Sequence, residues 1–382
     1  MKKSIIWLML VFALGFVFPV TTKTANASEK SFKITAKAAF LVDYHSGQVV
    51  FEKNADERLP VASMTKLASL AVIFDYMQKG VVKENDEVVV SKIAAGVSGS
   101  SAYLDHGSRY KLTDLVKTVI VASANDSTVA LAEHIAGNED LFVEKMNKFV
   151  ESLELKNTHF ENSTGLPCEN HYSSAKDMAT IYKTVCNNAL YKKYSKIWID
   201  DFMHPSGRKT NLVNTNRLVK TYDGIEGGKT GFTGKARFCL TASAKRGDMR
   251  LVGVVIGVDD SKTRFKEMSA LFDYGFLNYK NVGISSTEIP VTIARFKNAK
   301  NQVEIYPAQD IIKFLPKTEE SSFSIDYQLF EMKAPIKSGT VVGRLYVFDK
   351  NNMVVDEVDL VSKTDVYEIG FKEKLNKFVK TW

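Results

Sequence analysis

Three short stretches hold residues capable of nucleophilic chemistry. In Ser63-Met64-Thr65-Lys66 a hydroxyl and an amine lie three residues apart, so on a helix they share a face and can meet. A serine is a weak nucleophile until a neighbouring base takes its proton. A lysine serves as that base only when burial or a second cation destabilises its ammonium form. At a helix N-terminus, unpaired backbone N–H groups also favour developing negative charge. Ser123-Ala124-Asn125 puts a hydroxyl and a carboxamide on a bend between two predicted helices, as proton relay and amide clamp for one cleft. Lys229-Thr230-Gly231 offers a cation and a hydroxyl to a carboxylate on a predicted edge strand. Gly231 is expected to keep that strand low so that an extended peptide can lie along it. Singly, the three read as a helix cap, a helix-breaking turn and a lysine guarding a sheet edge. Their order, at separations of roughly 60 and 100 residues, sets each on its own element of one domain. A phosphate-binding loop is excluded at the third stretch: Gly224 and Gly228 are four apart rather than five, and Phe232 to Leu240 reads as strand where such a loop opens a helix.

The elements that must position these groups are legible in the hydrophobic pattern. Ala38 to Asp43 and Gln48 to Lys53 read as a hairpin around Tyr44-His45-Ser46-Gly47. Pro60 precedes a helical pattern from about Ser63 to Met77, with Leu67, Leu70, Ala71, Phe74 and Met77 on one face and Gly80 as the stop. Thr113 is expected to cap a short helix ending near Ala122, followed by helices over Asp126 to Ala136 and Asn138 to Leu153. Ala236 to Lys245 and Met249 to Val258 read as strands, and Asp260 opens a helix running to about Tyr279. Strands at both ends with helices between them predict a mostly antiparallel sheet covered by helices. From about Ile284 the helical period gives way to short β-type runs (Ile289 to Ala294, Gln302 to Tyr306, Thr340 to Phe348, Val354 to Leu360), which predict a small all-β domain.

Composition bounds the rest. A chain of 382 residues suggests two or three domains at ~150 residues each, and 45% apolar with 25% charged residues is an ordinary globular balance. The net charge of +7 is spread along the chain, which favours an anionic wall or membrane surface over a nucleic-acid groove. Three cysteines exclude a disulfide framework but leave a single bridge open. Six histidines form no paired-ligand pattern, so a built-in metal site is not expected. Lys2 and Lys3, the apolar run Ile5 to Phe18 and the triplet Ala25-Asn26-Ala27 have the layout of a secretory signal peptide cleaved near Ala27. The run is shorter than the ~20 residues a membrane span needs. At the other end, Val366, Ile369, Leu375, Phe378, Val379 and Trp382 form an apolar stripe opposite Lys372, Lys374, Lys377 and Lys380. That pattern predicts an amphipathic helix lying in a membrane interface, with a terminal helix packed on the β-rich domain as the alternative.

The motif set SxxK, SxN and KTG, in this order, resembles that of penicillin-binding proteins and class A β-lactamases. Over essentially its whole length the chain is similar to the low-molecular-mass penicillin-binding proteins, serine-type D-alanyl-D-alanine carboxypeptidases of peptidase family S11, and among them to the DacF-type members from Gram-positive, spore-forming bacteria. Flanking stretches carry the likeness too: Val61 to Leu67, Asn162 to Pro167, His171 to Asp177, Asn214-Thr215-Asn216 and Asp273 to Phe276. The resemblance implies an α/β (α+β) fold with a helix-covered antiparallel sheet and a C-terminal all-β domain. It divides the chain into a signal peptide (1–27), a catalytic domain (28–283), a β-rich domain (284–365) and a membrane-associating helix (366–382).

The implied activity is removal of the terminal D-alanine from peptidoglycan stem pentapeptides, with β-lactams as covalent inhibitors and no cofactor, metal or nucleic acid. Ser63 would be the nucleophile, Lys66 its base and Ser123 the proton relay. Asn125, Lys229, Thr230, Gly231 and Phe232 would bind substrate, with the N–H groups of Ser63 and Phe232 as oxyanion hole. Lys229 is the like charge expected to depress the Lys66 amine. Arg264 would face the active-site strand and help hold a carboxylate. Phe232 departs from better-known relatives, which carry a histidine after KTG. Two alternatives remain: a β-lactamase, although Glu161 to Leu166 lacks the Glu-x-x-Leu-Asn pattern of that class, and a non-catalytic penicillin-sensing wall protein, which the intact Ser63, Lys66, Ser123, Asn125 and Lys229 argue against. The expected location is the outer face of the cytoplasmic membrane.

Overall fold

The computed structural model describes residues 33–320 and 322–370. The signal-peptide expectation and residues 371–382 of the expected terminal helix lie outside the described residues. Five antiparallel strands form the central sheet in the order Val49–Lys53, Ala38–Asp43, Met249–Val258, Arg237–Arg246, Ile225–Thr233. Both faces are covered. Phe40, Val42, Val252, Val254 and Ile256 belong to the core shared with the preceding helices, while Leu41, Leu251 and Val255 pack with Met268, Leu271 and Phe272 of the helix Ser261–Asn278. This two-sided burial explains why Ala38–Asp43 and Met249–Val258 are apolar runs rather than alternating patterns. The strand Ile225–Thr233 ends the sheet, and its free edge is where the site is built.

The helix Lys66–Gln78 is buried at every residue from Lys66 to Phe74, so it is a central helix rather than the one-faced helix of the sequence reading. The helices Asn125–Ala136, Glu139–Ser152 and Ala175–Val185 pack around it. Three local expectations are corrected. Ser63 sits not in the α-helix but in a 3-10 turn, Ala62–Thr65, that leads into it. The helix Leu112–Val121 is entered from Lys111 with no side-chain cap, so Thr113 caps nothing. Phe232 to Leu240 is not one strand: the chain turns at residues 234–236, where the Ala236 N–H donates to Thr233 Oγ1 at 3.0 Å. Aromatic and β-branched residues on both sides of the turn masked it.

The β-rich region carries its own core, including Ile305, Val342, Leu345, Val347 and Leu360. Its antiparallel sheet runs Thr292–Ala294, Val303–Pro307, Val354–Ser362, Val341–Phe348, Ser324–Leu329. A separate pair, Tyr279–Ser285 with Ile311–Pro316, follows directly on the helix Ser261–Asn278. The expected start of the terminal helix at Val366 is wrong. Val366 is 1% exposed within this core and exchanges backbone hydrogen bonds with Ile336 at 2.8 and 3.0 Å. The Ile369 N–H donates to Asn298 O at 2.9 Å. Residues 366–370 are therefore extended chain belonging to the β layer. The three-residue spacing of Val366 and Ile369 had been read across that boundary. Among the described residues no helix is long and apolar enough to cross a membrane.

Candidate active site

Two residues that shape the site have left-handed backbones, Ala62 at φ 49° and Ser123 at φ 63°. Such conformations cost roughly 1–3 kcal/mol each and persist where the surroundings enforce them. Ala62 directly precedes Ser63, and Ser123 accepts from Lys229 Nζ. The 3-10 turn presents the Ser63 hydroxyl beside Lys66, whose Nζ lies 2.9 Å from Ser63 Oγ and donates to Thr164 O at 2.7 Å. Lys66 is fully buried. Burial first, and the charge of Lys229 second, drive its amine well below the ordinary lysine range.

Lys229 lies on the edge strand, also buried, and its Nζ donates to Ser123 Oγ at 2.7 Å and to Thr230 O at 3.0 Å. Burial, helped by Arg264, brings Lys229 down to about 7. The site therefore consists of two amine–hydroxyl pairs, Lys66 with Ser63 and Lys229 with Ser123. A proton on either amine disfavours one on the other.

Asn125 opens the helix Asn125–Ala136. Its N–H donates to Ser100 O at 2.7 Å and its Nδ2 to Ser98 O at 2.6 Å. Its Oδ1 is buried and has no hydrogen-bond partner. A buried unsatisfied acceptor beside a cleft is a place for a ligand N–H. Thr230 Oγ1 donates to Thr215 Oγ1 at 2.7 Å.

Gly231 is small for a different reason from the one expected. A Cβ there would lie 2.5 Å from Val61 O and 3.2 Å from Ala62 Cβ. The turn that carries Ser63 occupies the space, so the demand comes from inside the protein. Phe232 is 55% exposed, with its ring against Phe238 at a centroid distance of 4.3 Å.

Arg264 braces the edge strand. At 6% exposure its Nη1 donates to Gly231 O at 3.3 Å and to Cys239 O at 3.2 Å, while Nε has no partner. Burial pushes its guanidinium down to about 10. The residue also lines a cavity of about 650 Å³ with Trp198, Asn214, Thr215, Arg217 and Lys220. Arg217 and Lys220 were not foreseen. The only signal available was the adjoining Asn214-Thr215-Asn216 stretch, read as family likeness rather than as chemistry.

Two further contributors were missed. Thr164 acts through a main-chain carbonyl, which side-chain type does not reveal. His171 ties the same loop to the turn that carries Ser63: its Nδ1 accepts the Glu161 N–H at 3.1 Å, so Nε2 carries the proton that faces Thr65 Oγ1 at 2.7 Å. Burial pushes His171 down to about 4. The open question about cysteines closes as well: Cys168, Cys186 and Cys239 are all free thiols.

Residues 22–260 match the family model for D-alanyl-D-alanine carboxypeptidase, Peptidase S11, and residues 284–368 match the model for the penicillin-binding protein 5 C-terminal domain. The chain belongs to the D-alanyl-D-alanine carboxypeptidase family. It is 37% identical over 351 residues to D-alanyl-D-alanine carboxypeptidase DacF of Bacillus subtilis (strain 168), covering 91% of this chain and 90% of that protein. It is 34% identical over 354 residues to DacA of Haemophilus influenzae, covering 90% and 88%. The crystal structure of penicillin binding protein 5 from Haemophilus influenzae matches with a TM-score of 0.71 at 33% identity, covering 88% of this chain and 98% of that one.

Proposed function

We propose that this protein is a serine D-alanyl-D-alanine carboxypeptidase that trims the terminal D-alanine from peptidoglycan stem pentapeptides and is acylated by penicillin at the same residue. The observation that carries the reading is the 2.9 Å contact between Ser63 Oγ and the buried Lys66 amine, whose proton affinity burial lowers well below that of an ordinary lysine. In the reacting state this bond runs the other way: neutral Lys66 accepts the serine proton. Ser63 Oγ then attacks the carbonyl of the penultimate D-alanine. The N–H groups of Ser63 and Phe232 receive the developing oxyanion. Ser123 passes its proton to the departing amine as the C–N bond breaks and is reprotonated by Lys229, which donates to it at 2.7 Å; the proton taken up by Lys66 replaces the one Lys229 gave. Water then hydrolyses the ester to release the shortened peptide.

Asn125 Oδ1 accepts an N–H of the stem peptide. Lys229 and Thr230 receive the terminal carboxylate, with Thr215, Arg217 and Arg264 behind them. The carboxylates of Glu161 and Glu139 are occupied by loop groups: Glu161 accepts the Asn170 N–H at 3.0 Å, and Glu139 accepts the N–H and hydroxyl of Ser163 at 2.9 and 2.6 Å. That arrangement favours the carboxypeptidase over a β-lactamase that needs a carboxylate to activate water. The test is D-alanine release from a peptide ending in D-Ala-D-Ala. The wild type should release it and Ser63→Ala should not. Release by Ser63→Ala overturns the reading.

We infer that the mature protein, from about residue 28, works outside the cytoplasm at the outer face of the cell membrane. Support for export comes from the signal-like N-terminus. Support for attachment comes from the basic and apolar residues after Gly370, led by Lys372, Phe378 and Trp382.

A further inference from the structure

Between the helices Glu139–Ser152 and Ala175–Val185 the chain passes through a loop, residues 161–172, that touches the reacting groups with one main-chain atom. That atom is Thr164 O, the second acceptor of Lys66 Nζ at 2.7 Å. One side chain folds the loop around it. Asn162 Oδ1 accepts the backbone N–H groups of Thr164 at 3.1 Å, Gly165 at 2.7 Å and Leu166 at 3.1 Å, together with the Thr164 hydroxyl at 3.1 Å. Asn162 Nδ2 donates to Leu166 O at 2.9 Å and reaches Cys168 Sγ at 3.3 Å. The turn is pressed on the nucleophile's turn as well. Gly165 has φ +85°, and a Cβ there would lie 1.9 Å from Ala62 O. On the other side of Thr164, the carbonyl of Ser163 accepts from Ser69 Oγ on the central helix at 2.6 Å.

From this arrangement we propose that Asn162 is a positioning residue for the base: it holds the Thr164 carbonyl against Lys66 and so sets the direction and the proton affinity of that amine. The proposal rests on Lys66 acting as the base for Ser63. A neutral amine has two N–H bonds and one lone pair. Giving one N–H to Thr164 O fixes the amine's rotation and leaves the lone pair available to the Ser63 hydroxyl. The same carbonyl presents its negative end, which favours the ammonium form and opposes burial. The charged and titratable groups facing Lys66 are Lys229 on the edge strand, Asp126 and Glu139 at the starts of two helices, and His171 within the loop. Asn162 adjusts this balance through a dipole, with no charge of its own.

The test measures the rate of Ser63 acylation by a fluorescent penicillin across pH, for wild type, Asn162→Ala and Asn162→Asp, alongside their melting temperatures. Asn162→Ala frees the carbonyl. Its plateau rate should fall about 10- to 100-fold, the scale of a small misplacement of a catalytic group, and its acid limb should move to lower pH. Asn162→Asp keeps the acceptor oxygen and adds a negative charge stabilised by three N–H groups. It should retain the plateau within about threefold, with its acid limb moved to higher pH. If both variants keep the wild-type acid limb and lose rate only in step with melting temperature, the role is structural and the proposal is overturned. If Asn162→Ala does not fold, Asn162→Asp decides alone, and an unmoved acid limb refutes the idea. Labelling of Ser63→Ala would instead refute the reading of the nucleophile, an outcome distinct from both.

Discussion

Lys66 and Lys229 are two buried amines in one site, and neither can be understood alone. An ordinary lysine carries its proton past pH 10, whereas Lys229 gives it up near 7. Between about 7 and the unfolded value of 10.5 the unfolded chain binds a proton at Lys229 that the folded protein does not. Wherever the unfolded state binds more protons, stability rises with pH. Burying Lys229 is thus a cost that is fully present below about 7 and relieved as pH climbs to 10.5. Lys229→Met should remove this dependence. Over pH 7 to 10 the wild-type melting temperature should rise more steeply than that of the variant, and the variant should lose acylation. Parallel melting curves would show that Lys229 keeps its proton in the fold. The sequence showed which residues could meet, since type and spacing are visible there. It did not show that burial outweighs Lys229 in depressing Lys66, because burial is a property of the whole core. Thr164 was invisible for a related reason: any residue could have supplied its carbonyl.

At the scale of elements, the site is a seam between the edge strand Ile225–Thr233 and the 3-10 turn Ala62–Thr65. Gly231 sets the width of that seam. Its Cα approaches Val61 O so closely that one methyl group has nowhere to go. Gly231→Ala should force strand and turn apart, costing about 1–3 kcal/mol of stability as overpacking and up to about 100-fold in acylation rate through misalignment of Lys229 and Ser63. Stopped-flow labelling with a fluorescent penicillin checks this. Wild-type acylation by a stably folded variant would mean that the seam has slack. The interior strand Met249–Val258 was readable to the residue as an apolar run broken only by Arg250 and two glycines. The Gly231 constraint was not, because it comes from a segment far away in sequence. The turn at residues 234–236 was hidden for the opposite reason: strong strand formers on both sides outweighed its weak signal.

At the scale of the whole molecule, a catalytic unit is followed by a β-rich region whose last described residues are tied to its core by isolated bridges to Ile336 and Ala299. Val366 fills the β core, so the proposed membrane attachment is assigned to the residues after Gly370 alone. Two truncations separate these roles. A chain ending at Gly370 should keep its melting temperature and carboxypeptidase activity while moving from the membrane fraction to the soluble one. A chain ending at Asp365 should also lose about 1.5–3 kcal/mol of stability, the worth of one buried aliphatic side chain. Membrane retention of the first truncation would place the attachment elsewhere. The β character of this region was legible in its short runs and turn residues. The strand Ser324–Leu329 was not, since it lies at the sheet edge and is exposed along most of its length.

The central claim, that Ser63 is the nucleophile activated by a neutral Lys66, is tested most directly by trapping the acyl-enzyme. The protein is incubated with penicillin, digested, and the adduct located by mass spectrometry. The account predicts one equivalent on Ser63, formed at a rate that rises with pH as Lys66 loses its proton, with no adduct on Ser63→Ala. An adduct on any other residue, or undiminished labelling of Ser63→Ala, would contradict it.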